Sequence, residues 1–471
     1  MRRTKCDGII GICFILGVGV VLDSLTFIVL LGLNPRGEFA VGVKWVDVTP
    51  DVGLPMAGFS SRNRSAEGVL DPLRVTGVSL VHRDTSSQLL VLTYDLIGAS
   101  RELSDQIYEK LHTRFRAKRE STLLFFSHTH SGPVVGRNLR VLHKLSPNEQ
   151  KLVDAYARRL VQVSENALQG AIESAEDGCT LSASFGQSNN AVNRVYNSEK
   201  GFELGGNVNG PFDHTVPVFI ARRRDRTVLS CMFGYAAHGT VLTKEYRYSN
   251  DWMGFARRFV ENSLPGATAV YIPGCSGDTN LYPRGDVSLA KEHANRIAEA
   301  VISDGSLRNE QGIGGRIKCR HQEVNLNYKA LTHDRRNLKR LSRNEEDTYS
   351  SRLANLILLE LPRLDDTFFQ SLSYPVWVCS IGNSTVFVAL SGEPTSEYSL
   401  ILRQRLKGLV FAAGYAGEVM GYIPSKEMVR HGGYEAGERS AVLYGLPGRF
   451  GEDIEDTILK AVVECARAVE E

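Results

Sequence analysis

The sequence has no excess of charge of either sign: 55 Lys and Arg stand against 53 Asp and Glu, a formal net charge of +2. It also lacks a basic stripe and an RNA-binding signature, which sets nucleic acid aside as a partner. Paired cysteines are missing too. The eight cysteines fall singly at positions 6, 13, 179, 231, 275, 319, 379 and 465, with no C-x-x-C and no histidine at zinc-finger spacing. That excludes zinc modules built on cysteine pairs. Isolated cysteines behave as small core residues; in an exported domain one or two disulfides are open to them, and the sequence does not pair them. No Pro-, Gly- or Ser-rich linker divides the chain after residue 38, and no internal repeat is present. What is there is ordinary globular material: 42% hydrophobic and 23% charged residues in 471 positions. Such a chain can bury a core as one large domain or two smaller ones.

The N-terminus carries a targeting pattern. Arg2, Arg3 and Lys5 precede an apolar stretch over 8–33 that is broken by Asp23. A central Asp costs about 2.5–3.5 kcal/mol on membrane insertion, while each Leu, Ile, Val or Phe returns about 0.3–0.6. Seventeen such residues lie between Ile9 and Leu33, so insertion is favourable. The basic start keeps the N-terminus inside and sends the body across. The pattern predicts a signal-anchor or uncleaved signal peptide over 1–38, with a signal peptide cut after the first apolar block as the alternative. On either reading the domain over 39–471 is outside the cytoplasm, membrane-anchored or secreted.

Short apolar runs at 89–94 (LLVLTY), 122–126 (TLLFF), 228–235 (VLSCMFGY), 267–272 (ATAVYI), 385–390 (TVFVAL) and 409–413 (LVFAA) predict buried strands. Amphipathic patterns at 102–115, 148–175, 289–302 and 452–469 predict helices between and after them. The alternation implies an α/β fold: a mixed, largely buried β-sheet with flanking helices. Nearly every strand ends in a small or polar cluster, at Asp95, SHTHSGP, AAHGT, PGCSGD, SGEPT and GYAGE. Open α/β sheets place their chemistry at such C-terminal ends. The most polar stretch, 332–352, predicts an exposed helical insertion or lid.

The sharpest candidates are His128 and His130 in SHTHSGP (127–133). Positions i and i+2 of a strand share a face, so both imidazoles would project together. A lone H-x-H is weak, and two ordinary strand-end histidines are the plain alternative. His238 ends another apolar strand, in AAHGT, where a buried structural role is as plausible as ligation. Glu393 in SGEPT is a third strand-end group, which alone reads as a helix-start carboxylate. Tyr422 and Tyr434 alone read as packing residues.

The blocks together carry more. VDVTPDVGLPMAGF (46–59), GVLDPL (68–73), SHTHSGP, FGYAAHGT (233–240), GCSGDTN (274–280), SGEPT (391–395) and GYIPSKEMVRHGGYEAG (421–437) resemble, in that order, the catalytic domain of the neutral/alkaline (non-lysosomal) ceramidases. The resemblance spans roughly residues 40–445. It implies a zinc amidohydrolase that cleaves the N-acyl amide of ceramide or a related lipid amide to a fatty acid and an amine. It implies zinc held by His128, His238, Glu393 and Tyr422, with His130 beside the metal. It further implies catalytic roles for Arg194, in Asn193-Arg194-Val195, and for Tyr434, which follows Tyr422 at the family's spacing.

Such a set supplies a water of lowered pKa and a polarised carbonyl. Tyr434 and Arg194 would then steady the oxyanion, and His130 would carry the proton. Some family members have a Gly-Asp-x-Ser-Pro-Asn turn. Here Asn280 takes the Ser position in Gly277-Asp278-Thr279-Asn280-Leu281, which favours water over an acyl-enzyme. Ser276 stays a minor candidate, better suited to holding its loop. The chain also stops soon after the Tyr434 block, where full-length ceramidases add an immunoglobulin-like β-domain. Two further readings stay open: an exported zinc hydrolase of another amide or ester, and a non-catalytic anchored binding protein. The sequence gives no oligomeric state.

Overall fold

Runs of β-branched and aromatic residues build one nine-stranded and one five-stranded sheet in the computed structural model. It describes residues 37–199, 201–303, 310–331, 334–344, 346, 348–360, 366–382 and 384–471. The predicted anchor lies outside the described residues. Among the described residues no helix is long and apolar enough to cross a membrane.

The large sheet runs Thr268–Pro273, Val228–Tyr235, Thr215–Arg222, Glu176–Gln187, Phe39–Asp47, Arg74–His82, Gln88–Tyr94, Thr122–Phe126, with Gln311–Ile313 beside Glu176–Gln187. The second runs Leu409–Ala413, Thr385–Leu390, Ser371–Ile381, Ile317–Leu331, Gly448–Phe450. All six runs read from the sequence are strands, and the four predicted helices form at Arg101–Phe115, Pro147–Glu173, Val287–Ile302 and Ile454–Glu470. The predicted mixed α/β architecture is therefore present. The strands without a buried run in the sequence, such as Phe39–Asp47 and Glu176–Gln187, interleave exposed and buried positions.

Three of the parallel pairings are closed by a helical crossover. Gln88–Tyr94 passes through Arg101–Phe115 to Thr122–Phe126. Val228–Tyr235 passes through Asp251–Ser263 to Thr268–Pro273. In the second sheet Thr385–Leu390 passes through Ser396–Arg405 to Leu409–Ala413. The first two units occupy opposite ends of the large sheet, yet those ends meet. Thr129 bridges Gly239, Phe125 bridges Ala416 and Gly274 bridges Ala413, which ties the three units together at their strand ends.

Local chemistry sets the helices. Ser100 caps Arg101–Phe115 by accepting from the Leu103 N–H, and Arg116 ends it in the left-handed region. That helix buries Leu103, Ile107 and Leu111 on one stripe, each burial stabilising by roughly 1.5–3 kcal/mol. Pro147–Glu173 starts with a capping box between Ser146 and Glu149. It lies close on the sheet because Gly77 has no side chain: a Cβ there would sit 2.5 Å from the Ala167 carbonyl oxygen.

Cys319 and Cys379 face each other across the antiparallel pair Ile317–Leu331/Ser371–Ile381 and form a disulfide. Cys179, Cys231, Cys275 and Cys465 are buried thiols, as expected of isolated cysteines. The polar stretch is helical over Arg335–Leu341 and from Tyr349 on. It is more than a solvated face: its Leu338 buries with Leu353, Ala354 and Ile357 of the continuing helix and with Val141 and Val442.

The loop after Leu409–Ala413 holds Glu418, 5% exposed, against the Arg101 guanidinium at 2.5 Å. Burial pushes its carboxyl up to about 7, with Arg101 opposing. A raised acid binds its proton more tightly in the folded state, so its favourable contribution is complete below about pH 4.5 and lost by about pH 7. The loss is on the order of 3 kcal/mol. Melting temperatures of the wild type and Glu418→Gln between pH 5 and 7.5 test this. The difference should move in favour of the variant as pH rises; a pH-independent difference would remove Glu418 from the account.

Candidate metal centre

The sequence reading expects His128 and His130 to converge because they alternate on a strand. They do converge, for a different reason. The strand stops at Phe126, and His128 has φ +60°, the left-handed region. Non-glycine residues are held there at a cost of order 1–3 kcal/mol and cluster at functional sites. His128 is fixed by its N–H to the Leu96 carbonyl at 3.0 Å and by Nδ1–H to the Ile97 carbonyl at 2.7 Å. Its Nε2 then lies 3.2 Å from His130 Nε2.

His238 arrives from the far end of the sheet. Its N–H donates to the Thr279 carbonyl at 3.1 Å and its Nδ1–H to the Ser276 carbonyl at 2.6 Å. Gly239 permits the approach, since a Cβ there would stand 2.9 Å from Thr129 Cα. Glu393 follows the strand Thr385–Leu390 of the second sheet, with its N–H on the Gly421 carbonyl at 2.8 Å. Its Oε2 sits 3.1 Å from His128 Nε2 and 3.0 Å from His238 Nε2. All three side chains are at most 2% exposed. Glu393 Oε1 accepts from the Tyr444 hydroxyl, while Oε2 has no hydrogen-bond donor.

Tyr422 is placed by the parallel bridge that sets it opposite Glu393. Its ring stacks with His238 at 6.4 Å, and its hydroxyl accepts from Arg194 Nη2 at 3.1 Å. Arg194 also donates through Nε to Glu435 at 2.9 Å and brings Nη1 to 3.5 Å from His238 Nε2. A guanidinium only donates, so that Nε2 is a bare acceptor. Tyr434 joins with its ring 5.5 Å from Tyr422 and 5.9 Å from the Arg194 guanidinium. Five of the seven residues singled out in the sequence, His128, His130, Glu393, Tyr422 and Tyr434, line one cleft with Tyr444; His238 and Arg194 join them through Glu393 and Tyr422.

Ser276 is not on that wall. Its hydroxyl bonds to Tyr415 at 2.9 Å and its carbonyl holds His238, the loop-holding role expected of it. Asp278, in the same turn, accepts from Asn193 Nδ2 and Ser396 Oγ, each at 2.8 Å, and from the Ser396 N–H at 2.7 Å. It pins the strand carrying Arg194 to the start of the helix that follows Glu393.

Burial favours the neutral imidazole. It pulls His238 down to about 4, helped by Arg194, and holds His130 well below the usual range, helped by His128 and His238. Burial works against the Glu393 charge, but the facing His128 and His238 outweigh it and keep the carboxyl well below its usual value. Neutral imidazoles beside a carboxylate are the ligand forms a cation needs. His128, His130 and His238 each offer a ring nitrogen within 4.8 Å of the others. They are not equivalent. Metal-bound histidines almost always donate their other N–H to a carbonyl or carboxylate. His128 and His238 do so, whereas His130 Nδ1 is buried without a partner. With the undonated Glu393 Oε2, these two imidazoles fit a divalent ion.

Three partners escaped the sequence reading. Glu435 adjoins Tyr434 in GYEAG, and Tyr415 lies in a strand-end cluster, so both had a faint signal. Tyr444, in VLYGLPG, had none. Tyr444→Phe should remove a hydrogen bond to a charged group, about 1.5–3 kcal/mol, and weaken metal binding about 10- to 100-fold. Competition with a chromophoric chelator and a melting curve measure both; two unchanged values would mean Tyr444 does not orient Glu393.

No protein-family model matches the sequence, and no curated protein matches it. Solved structures do match in shape, two ceramidases among them. A ceramidase complexed with C2 superposes with a TM-score of 0.71 at 14% identity, over 92% of this chain and 75% of its own. The neutral ceramidase from Pseudomonas aeruginosa gives 0.70 at 15% identity, over 92% and 74%. The chain therefore has a neutral ceramidase-like fold.

Proposed function

We propose that the chain is a zinc-dependent hydrolase that cleaves an acyl amide of the ceramide type into a fatty acid and an amine. The observation that carries this reading is the meeting of His128 Nε2 and His238 Nε2 on Glu393 Oε2 at 3.1 and 3.0 Å, with both Nδ1 atoms tied to backbone carbonyls. Two imidazoles and a carboxylate make a common catalytic zinc set, with Tyr422 as a fourth group. Zinc bound there supplies a water of lowered pKa and a polarised carbonyl.

The chain's own groups do the rest. His130, neutral and beside His128, takes a proton at a ring nitrogen and passes it to the leaving amine. Arg194 stays cationic: burial disfavours its charge, but Tyr422, Glu435 and Glu393 outweigh that. With the Tyr434 hydroxyl it steadies the developing oxyanion. Water adds across the carbonyl, the C–N bond breaks, and the amine leaves with the added proton. The basic-then-apolar start at 2–33 supports export, either anchored or secreted, which protease accessibility on intact cells would test.

Metal analysis of the purified protein and a turnover panel test the function. The panel holds a fluorescent ceramide, other N-acyl amides and matched esters. Stoichiometric zinc and amide turnover are expected. A folded protein that binds no zinc, or one that turns over esters alone, refutes the proposal.

A further inference from the structure

We infer that Arg62 is a positioning residue for His130: it clamps the His130 backbone from behind and so holds the imidazole in place beside the metal ligands. The inference rests on the hydrolase reading above, in which His130 carries the proton. The three imidazoles of the centre are not held alike. His128 and His238 each tie Nδ1–H to a carbonyl, at 2.7 and 2.6 Å. His130 Nδ1 is buried with no partner, and among the described residues its ring makes one polar contact, Nε2 to His128 Nε2 at 3.2 Å. An imidazole that takes and releases a proton cannot have both nitrogens tied. Its aim has to come from its backbone and its ring faces.

That hold comes from a strap over 55–62. The Pro55 carbonyl accepts from the Val134 N–H, and the Ala57 N–H donates to the Gly132 carbonyl, both at 2.9 Å. These bonds lace the strap to the turn after His130. Gly58, at φ +96°, lies so near the imidazole that a Cβ would stand 2.4 Å from its Cγ. The Phe59 ring faces the imidazole at 5.0 Å. Arg62 closes the strap. Its Nη1 donates to the Ala57 carbonyl at 2.6 Å and to the His130 carbonyl, and its Nη2 to the Glu245 carbonyl at 3.2 Å. Its guanidinium also lies 4.8 Å from the Phe59 ring. One planar fork thus joins the strap, His130 and the connection from Val228–Tyr235 to Asp251–Ser263, which carries His238.

Holding a cation on carbonyls alone is costly, since they satisfy its donors without cancelling its charge. Among the described residues Arg62 hydrogen-bonds to no carboxylate, and its Nε is buried without a partner. Burial pulls its pKa down to about 10, against the pull of Tyr246, Asp251 and Glu245, so it stays charged at neutral pH. Arg64, two residues on, shows the ordinary alternative: it meets Glu67 at 2.9 Å with both side chains more than half exposed. Arg62 gives up that freedom, and what the molecule gains is a fixed His130 backbone. Arg62 is not on the wall of the metal cleft, so its effect on the chemistry passes through His130. A displacement of about 1 Å in a reacting group can cost about 100-fold in rate.

The test compares the wild type with Arg62→Met, Arg62→Lys and Arg64→Gln. The Met variant fills the space without a donor. The Lys variant keeps a charge but loses the planar fork, and it carries the same test should the Met variant not fold. Each protein is read for zinc content, for kcat and KM on the best amide of the panel, and for its histidine ring signals by NMR with labelled histidine. The His130 signal is assigned by its absence from His130→Ala. Both Arg62 variants should keep zinc and hold KM within about threefold, while kcat falls about 100-fold in the Met variant and less in the Lys variant. The His130 signal should shift or broaden while those of His128 and His238 stay in place. Arg64→Gln should match the wild type throughout. An unmoved His130 signal, or a wild-type kcat in Arg62→Met, overturns the inference. A higher KM at constant kcat does the same, because Arg62 would then serve substrate binding. So does loss of zinc with movement of all three histidine signals, which would make Arg62 a general structural residue. A wild type that cleaves no amide sinks the hydrolase reading, and the His130 signal still decides whether Arg62 holds that ring.

Discussion

Under the proposed function, replacing His128 with Ala is expected to empty the protein of zinc and reduce amide hydrolysis to background. His128 Nε2 is 3.1 Å from Glu393 Oε2, and its Nδ1–H is held at 2.7 Å by the Ile97 carbonyl, which fixes the ring toward the carboxylate. Loss of one imidazole also leaves the fully buried Glu393 with less compensation for its charge. Its carboxyl should then titrate higher, and the apo variant should lose stability relative to the apo wild type as pH rises. Metal content, turnover and circular dichroism on one preparation read the three effects together. His130→Ala is the informative comparison: under the assigned roles it loses turnover while keeping metal. A folded His128→Ala protein that retains zinc and activity would falsify the ligand assignment.

Asp95→Ala is expected to destabilise the fold by about 3–5 kcal/mol, the usual effect of removing one partner from a buried ion pair. Asp95 receives Arg257 in a two-pronged contact at 2.9 and 2.8 Å, with both side chains at most 4% exposed. Without Asp95 the guanidinium has no carboxylate partner in the interior. The effect should reach the metal as well. Asp95 Oδ1 accepts from Asn250 Nδ2 at 2.7 Å, and Asn250 Oδ1 accepts from the Ser127 hydroxyl at 2.6 Å, next to His128. Urea denaturation should show a midpoint shift, and chelator competition a weaker site. The double substitution Asp95→Leu/Arg257→Met removes both charges and should recover much of the stability. A single variant within about 1 kcal/mol of wild type, a shift typical of ordinary surface changes, would contradict the network.

Much of the site was legible because its strands are buried on both faces. A strand such as Thr122–Phe126 reads as a continuous apolar run, and the small polar cluster after it marks the C-terminal end where chemistry collects. His128, His238 and Glu393 each stand in such a cluster. The reason given for the His128–His130 pairing was nevertheless wrong in detail, because the left-handed backbone at His128 replaces strand alternation. Strands with an exposed face, such as Phe39–Asp47, lack that signature. The cysteine pairing was closed to the sequence because Cys319 and Cys379 meet only through the register of two strands 60 residues apart.

The sequence by itself determined the residue types of the centre, the order in which they come, and the strand–helix rhythm that puts each at a strand end. Those are local properties, written in runs of four to eight apolar residues and the turns that follow them. Only the tertiary structure decided which groups meet. It closed the ends of the large sheet so that Thr129 bridges Gly239, tied the His128 and His238 imidazoles to carbonyls, and brought Tyr444 to Glu393 across 51 positions. Proximity of that kind depends on sheet curvature and on contacts between remote segments, and no local periodicity encodes it.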